Sequence, residues 1–131
     1  MRRKIAALLL LCSFVYADKL AWSHEYKAGL AQAKDSGKIM MLMLSQKGCA
    51  MCEYMHDTVF EDGEVAAYIQ AHFVPVELDI HGDTLPPRMR AYGTPTFYFI
   101  DGNGKKISQV IGGAKPPVFL QKLREIRTGS R

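Results

Sequence analysis

Ile39-Met40-Met41-Leu42-Met43-Leu44, followed after a short polar turn by Gly48-Cys49-Ala50-Met51-Cys52, is the stretch on which the reading of this chain turns. An unbroken apolar run of this length, flanked by glycines, fits a strand covered on both faces; a half-exposed strand would alternate. Past Cys49 the pattern becomes helix-like to about Val59. A buried strand that turns into a helix at a CxxC pair places the first sulfur at the helix N-terminus. Unpaired backbone N–H groups and the positive end of the helix dipole stabilise a thiolate there. Cys49 is then the expected nucleophile, attacking a substrate disulfide to form a mixed disulfide. Cys52, about one helical turn on, reaches back to resolve it, and the same geometry in reverse donates a disulfide.

By itself the pair is also compatible with metal binding. Zinc sites usually need a second pair or two histidines, and His56 is the only histidine close in sequence. Met40, Met41, Met43, Met51 and Met55 cluster near the cysteines, and soft thioether and thiolate ligands favour Cu(I). The alternative function is therefore a copper chaperone using Cys49, Cys52 and Met51 or His56. Met40, Met41 and Met43 lie within the apolar run and read better as core filling. Met51 reads as an adaptable apolar contact beside the active sulfur. No cofactor is expected.

Upstream, Arg2-Arg3-Lys4 and the apolar Ile5–Val15 segment, ending in Val15-Tyr16-Ala17, have the form of a secretory signal cleaved after Ala17. The apolar part is shorter than a usual bilayer span. The 131-residue chain thus divides into a leader, 1–17, and one domain, 18–131. Three of the four units of the formal charge of +4 come from that leader; the remainder carries 14 basic and 13 acidic residues, so nothing favours a nucleic-acid partner. The leader also removes Cys12. The two cysteines left are too close in sequence for their bridge to constrain a fold much, so they make more sense as chemistry than as a staple.

Residues 18–37 read as a helix, with Trp22, Tyr26, Leu30 and Ala33 at helical spacing and Gly37 as its stop. A second helical piece begins near the Glu61–Glu64 corner. Phe73 to Ile80 reads as a strand in which Pro75 sits early or at an edge. Pro86-Pro87 opens a short helical turn leading to Gly93-Thr94-Pro95. Thr96 to Ile100 is a strand, Asp101-Gly102-Asn103-Gly104 a hairpin turn, Lys106 to Ile111 the partner strand, and Pro117 to Ile126 a closing helix. Strands alternating with helices predict a central mixed sheet, part parallel and part antiparallel, flanked by helices. Pro95 alone would be an ordinary turn proline. In this element order it invites a cis bond that exposes the Thr94 backbone to an extended substrate segment.

The two motifs in this order resemble the thioredoxin superfamily. Gly48-Cys49-Ala50-Met51-Cys52, Met55, Val59-Phe60, Asp62, Val65-Ala66 and Phe73-Val74-Pro75-Val76 are similar to exported bacterial members, including the thiol-reducing periplasmic domain of the thiol:disulfide interchange protein. The resemblance implies an α/β thioredoxin fold, Cys49 as nucleophile, Cys52 as resolving thiol and a cis Pro95 facing them. It further implies exchange with protein thiols and disulfides, more in the reducing direction. The leader makes the periplasm the expected compartment, where a reductase needs a membrane thiol electron donor, and a monomer is expected. Two positions depart from thioredoxin itself: Gly48 replaces an aromatic residue, and Met43 replaces a buried aspartate that assists proton transfer to the resolving thiol. Glu53, His56 and Glu77, with Asp79 nearby, are the candidates to take over proton transfer or thiol tuning.

Overall fold

A computed structural model describes residues 19–129; the leader 1–17, with Cys12, lies outside them. The apolar run forms strand β1 (Ile39–Ser45), buried from Met40 to Ser45. It lies inside a four-stranded sheet with β2 (Phe73–Asp79), β3 (Thr96–Ile100) and β4 (Lys106–Ile111), in the order β2-β1-β3-β4. β1 runs parallel to β2, with Ile39 opposite Phe73 and Ser45 opposite Asp79. β3 is antiparallel to both β1 and β4.

Because successive strand side chains point to opposite faces, β1 supplies two cores. Met41 and Met43 join Phe73, Phe97, Phe99 and Cys52 on one face. Met40, Leu42 and Leu44 join Val74, Val76, Leu78, Tyr98 and Ile100 on the other. The first face is covered by α2 (Ala50–Tyr54), which continues into a π-helical turn (Met55–Val59), by α3 (Gly63–His72) and by α4 (Pro116–Thr128). The second is covered by α1 (Tyr26–Ser36) and the 80–92 connection. Met40, Met41 and Met43 are fully buried, as core filling requires.

Local chemistry sets the element ends. Gly37 closes α1 at a φ of 71°, in the left-handed region. The Asp62 carboxylate accepts from the Glu64 and Val65 N–H groups and caps α3. The Asp101 carboxylate accepts from the Asn103 and Lys105 N–H groups inside the hairpin turn. Pro75 lies on edge strand β2. The Glu77 N–H two residues on points outward, so the donor missing at Pro75 is also on the outer side and costs no bond to β1.

Two expectations are corrected. The first helix starts at Tyr26, not at residue 18. Ser23 instead bridges to β2, donating to the Pro75 carbonyl (3.1 Å) and accepting from the Glu77 N–H (2.9 Å). Sheet-edge hydrogen bonding thus holds the preceding chain extended, and Trp22 packs on His56 and Phe60 rather than on the face of α1. After Pro86-Pro87 the chain makes only a turn, Met89 N–H to Pro86 carbonyl, without a helix. Two prolines remove donors, and Arg88 sits at a φ of 67°, outside helical geometry.

Candidate active site

Cys49 is the N-cap of α2, and its sulfur accepts a hydrogen bond from the Cys52 N–H at 3.1 Å. The two cysteines form a disulfide, with Cα atoms 5.3 Å apart. Cys49 is half-buried whereas Cys52 is 5% exposed, so Cys49 is the more accessible of the two sulfurs. The helix behind them runs without a break to Val59, because the Met55 segment keeps helical dihedrals while its bonds lengthen to the π pattern, Phe60 N–H to Met55 carbonyl. Met51 is 44% exposed and lies against Gly113, where a side-chain carbon would come 2.6 Å from its sulfur.

The Thr94–Pro95 bond is cis, and the Thr94 carbonyl oxygen lies 3.4 Å from the Cys49 sulfur. The site is therefore bounded by two segments 45 residues apart in sequence. Gln46, unmarked by any sequence signal, ties them together: its amide donates to the Thr94 hydroxyl (3.0 Å), and its carbonyl is 2.9 Å from His81 Nε2.

Below the disulfide opens a groove of about 280 Å³, lined by residues that include Cys49, Cys52, Glu53, His56, Glu77 and Asp79. His56 Nε2 is 2.7 Å from Glu77 Oε2, with the two side chains 34% and 19% exposed. The hydrogen bond to Glu77 raises the His56 pKa above its ordinary value against the opposing effect of partial burial, and the charges of Glu77 and Asp57 add to the rise. Burial pushes Glu77 up, but the hydrogen bond and charge of His56, with the Ser45 hydroxyl and His24, outweigh it and hold the carboxyl below its usual range. An ionised carboxylate can only accept, so Nε2 carries a proton, and in the neutral imidazole Nδ1 is the nitrogen left without one. Trp22 and Phe60 hold the imidazole at centroid distances of 5.2 and 5.4 Å.

The remaining candidates are placed differently. Glu53 is exposed on α2. Asp79 is spent on the loop after β2, where the His81 (2.8 Å) and Gly82 (3.0 Å) N–H groups bond its carboxylate and hold its pKa down. Among the described residues no group of three or more His, Cys, Asp or Glu side chains is arranged to hold a metal ion, and no helix is long and apolar enough to cross a membrane.

A family model for the thioredoxin-like domain matches residues 26–127. Among solved structures, a thioredoxin from Thermus thermophilus is 27% identical, with a TM-score of 0.70 over 83% of this chain and 88% of that one. The DsbH oxidoreductase is 22% identical, with a TM-score of 0.69 and 92% of each chain covered. The C-terminal domain of DsbD from Neisseria meningitidis, in its oxidised form, is 18% identical, with a TM-score of 0.61 over 82% of this chain and all of that one. At such identities the last two bear on the fold alone. A search of curated proteins finds no match in sequence. The mixed sheet, the strand-to-helix CxxC disulfide and a family match over nearly all the described residues agree: the chain belongs to the thioredoxin-like family.

Proposed function

We propose that this protein is a thiol–disulfide oxidoreductase that reduces protein disulfides outside the cytoplasm. The observation that carries the reading is the position of the Cys49 sulfur between the Cys52 N–H and the Thr94 carbonyl, at the start of a ten-residue helical stretch. The N–H bond and the helix N-terminus favour negative charge on that sulfur. In the reduced protein Cys49 attacks a substrate disulfide, and Thr94 and Pro95 offer backbone to an extended substrate segment across the sulfur. Cys52 then attacks Cys49, restoring the intramolecular disulfide and releasing substrate dithiol. Two electrons pass to the substrate, and a dithiol donor must return them.

The leader-like residues 1–17 support export of a domain spanning 18–131. The reducing direction and a membrane thiol donor rest on the likeness of the motif to exported thiol-reducing domains. Insulin-disulfide reduction by residues 18–131 tests the activity, and the reduction potential tests its direction. A midpoint near about −270 mV supports a reductant, and one near about −120 mV an oxidant. Tight Cu(I) binding with no exchange activity would replace this reading with a copper chaperone.

A further inference from the structure

Resolution of a mixed disulfide makes a demand that Cys49 does not. Once Cys49 is bonded to substrate, the attacking group is Cys52, which is 5% exposed and starts as a thiol. A thiol in apolar surroundings holds its proton, so the step needs an acceptor at hand. β1 supplies none, since Met43 fills the position facing the helix. Of the charged groups around the groove, Lys47 is a cation, Glu53 and Asp57 are exposed, and Asp79 is engaged by loop amides. His24 stands outside, its Nδ1 on the Glu77 carbonyl. The His56–Glu77 pair remains. His56 follows Cys52 by about one turn of the same continuous helix, lines the same groove, and has its Nε2 occupied by Glu77.

We propose that His56, oriented by Glu77, accepts the Cys52 proton across the groove during resolution. The inference rests on the exchange reading. With the imidazole neutral, Cys52 gives its proton to His56 Nδ1, directly or through one water, and the Cys52 thiolate attacks the Cys49 sulfur. The Cys49–Cys52 bond forms as the bond from Cys49 to the substrate sulfur breaks, and that sulfur leaves with the electron pair as a thiolate. The imidazolium returns the proton to it. Glu77 touches no reacting atom; it is a positioning residue that fixes the tautomer and makes the ring a stronger base. Trp22 and Phe60 restrict the ring's rotation.

The test separates the two sulfurs. Fully reduced protein mixed with 5,5′-dithiobis(2-nitrobenzoate) releases one thionitrobenzoate as Cys49 attacks, at a rate that scales with reagent, and a second as Cys52 resolves, at a rate that does not. His56→Gln is expected to slow the second release on the order of 10²-fold at pH 7 while leaving the first unchanged. Its pH midpoint should move up toward that of an ordinary thiol, about 8.5. Glu77→Gln should give a smaller slowing with the same upward move. His56→Asn serves if His56→Gln melts differently from the parent. An unchanged second release and midpoint in the His56 variants, or equal slowing of both releases, would overturn the proposal. No release of either equivalent by the parent protein would overturn the exchange reading itself.

Discussion

Met43 and Glu77 are direct neighbours in the parallel register of β1 and β2, so their side chains leave the sheet on the same face, toward the helix that carries Cys52. The position where thioredoxin keeps a buried acid thus holds a thioether, and a carboxylate stands one strand away. That displacement lets Glu77 meet His56 at 2.7 Å. It also leaves Met43 free to fill the core.

Returning an acid to position 43 should therefore be costly. Met43 is fully buried beside Glu77, so a carboxyl in Met43→Asp would have its pKa raised by desolvation and by a like charge. A folded pKa above the unfolded one destabilises at neutral pH and does so less as pH falls. Urea unfolding at pH 7 should show a loss of about 3 kcal/mol, shrinking toward pH 4, whereas Met43→Leu should cost under about 1.5 kcal/mol at both.

The His56–Glu77 pair sets a pH window for stability. His56 is raised, so its contribution is full below its unfolded pKa of about 6.5 and is lost as pH climbs through the folded value. Glu77 is lowered, so its contribution is full above its unfolded pKa of about 4.3 and is lost as pH falls through the folded value. The advantage of the parent over Glu77→Gln should peak between about pH 4.3 and 6.5. Partial exposure limits it to about 1 kcal/mol. Chemical denaturation of the oxidised forms from pH 4 to 9 measures this; a flat difference would contradict it.

Gly29 lies on the inner side of α1, and a β-carbon there would overlap a Val76 methyl. Alanine normally gains about 0.5–1 kcal/mol over glycine inside a helix. Here the clash with a fully buried β-branched side chain outweighs that gain, and Gly29→Ala should lower the urea midpoint by the equivalent of about 1–3 kcal/mol. Adding Val76→Ala should recover part of the loss produced by the clash.

Gln46→Ala removes the side chain that bonds the Thr94 hydroxyl and approaches His81. A hydrogen bond of this kind contributes about 0.5–1.5 kcal/mol, so KM for a protein disulfide should rise by up to about tenfold. Attack on a small aromatic disulfide, which needs no backbone pairing, should be unaffected. Equal loss on both substrates would mean that Gln46 acts on Cys49 rather than on the Thr94 segment.

Much of the fold was legible because the strongest signals were local. The apolar run at 39–44, the turn residues at 101–104, and the glycine and proline punctuation mark real element ends. The elements missed were decided at a distance. Trp22 lies at helical spacing from Tyr26, yet Ser23 is captured by the edge of β2, and nothing in the residues around position 23 announces a partner more than 50 positions on. The turn after Pro86-Pro87 stays irregular because Leu85, Met89 and Ala91 pack on the second core without needing a helix.

The sequence by itself determined the candidate site as a pair: a CxxC at a strand-to-helix junction and a Thr-Pro before a second strand. Both depend on residue type and short spacing, which the chain carries in one dimension. Tertiary structure decided which polar side chains accompany them. His56 comes from the helix, Glu77 from an edge strand 21 residues on, and Gln46 from the turn before Cys49. They meet only through strand register and helix packing, and those are properties of the folded sheet rather than of any segment of it.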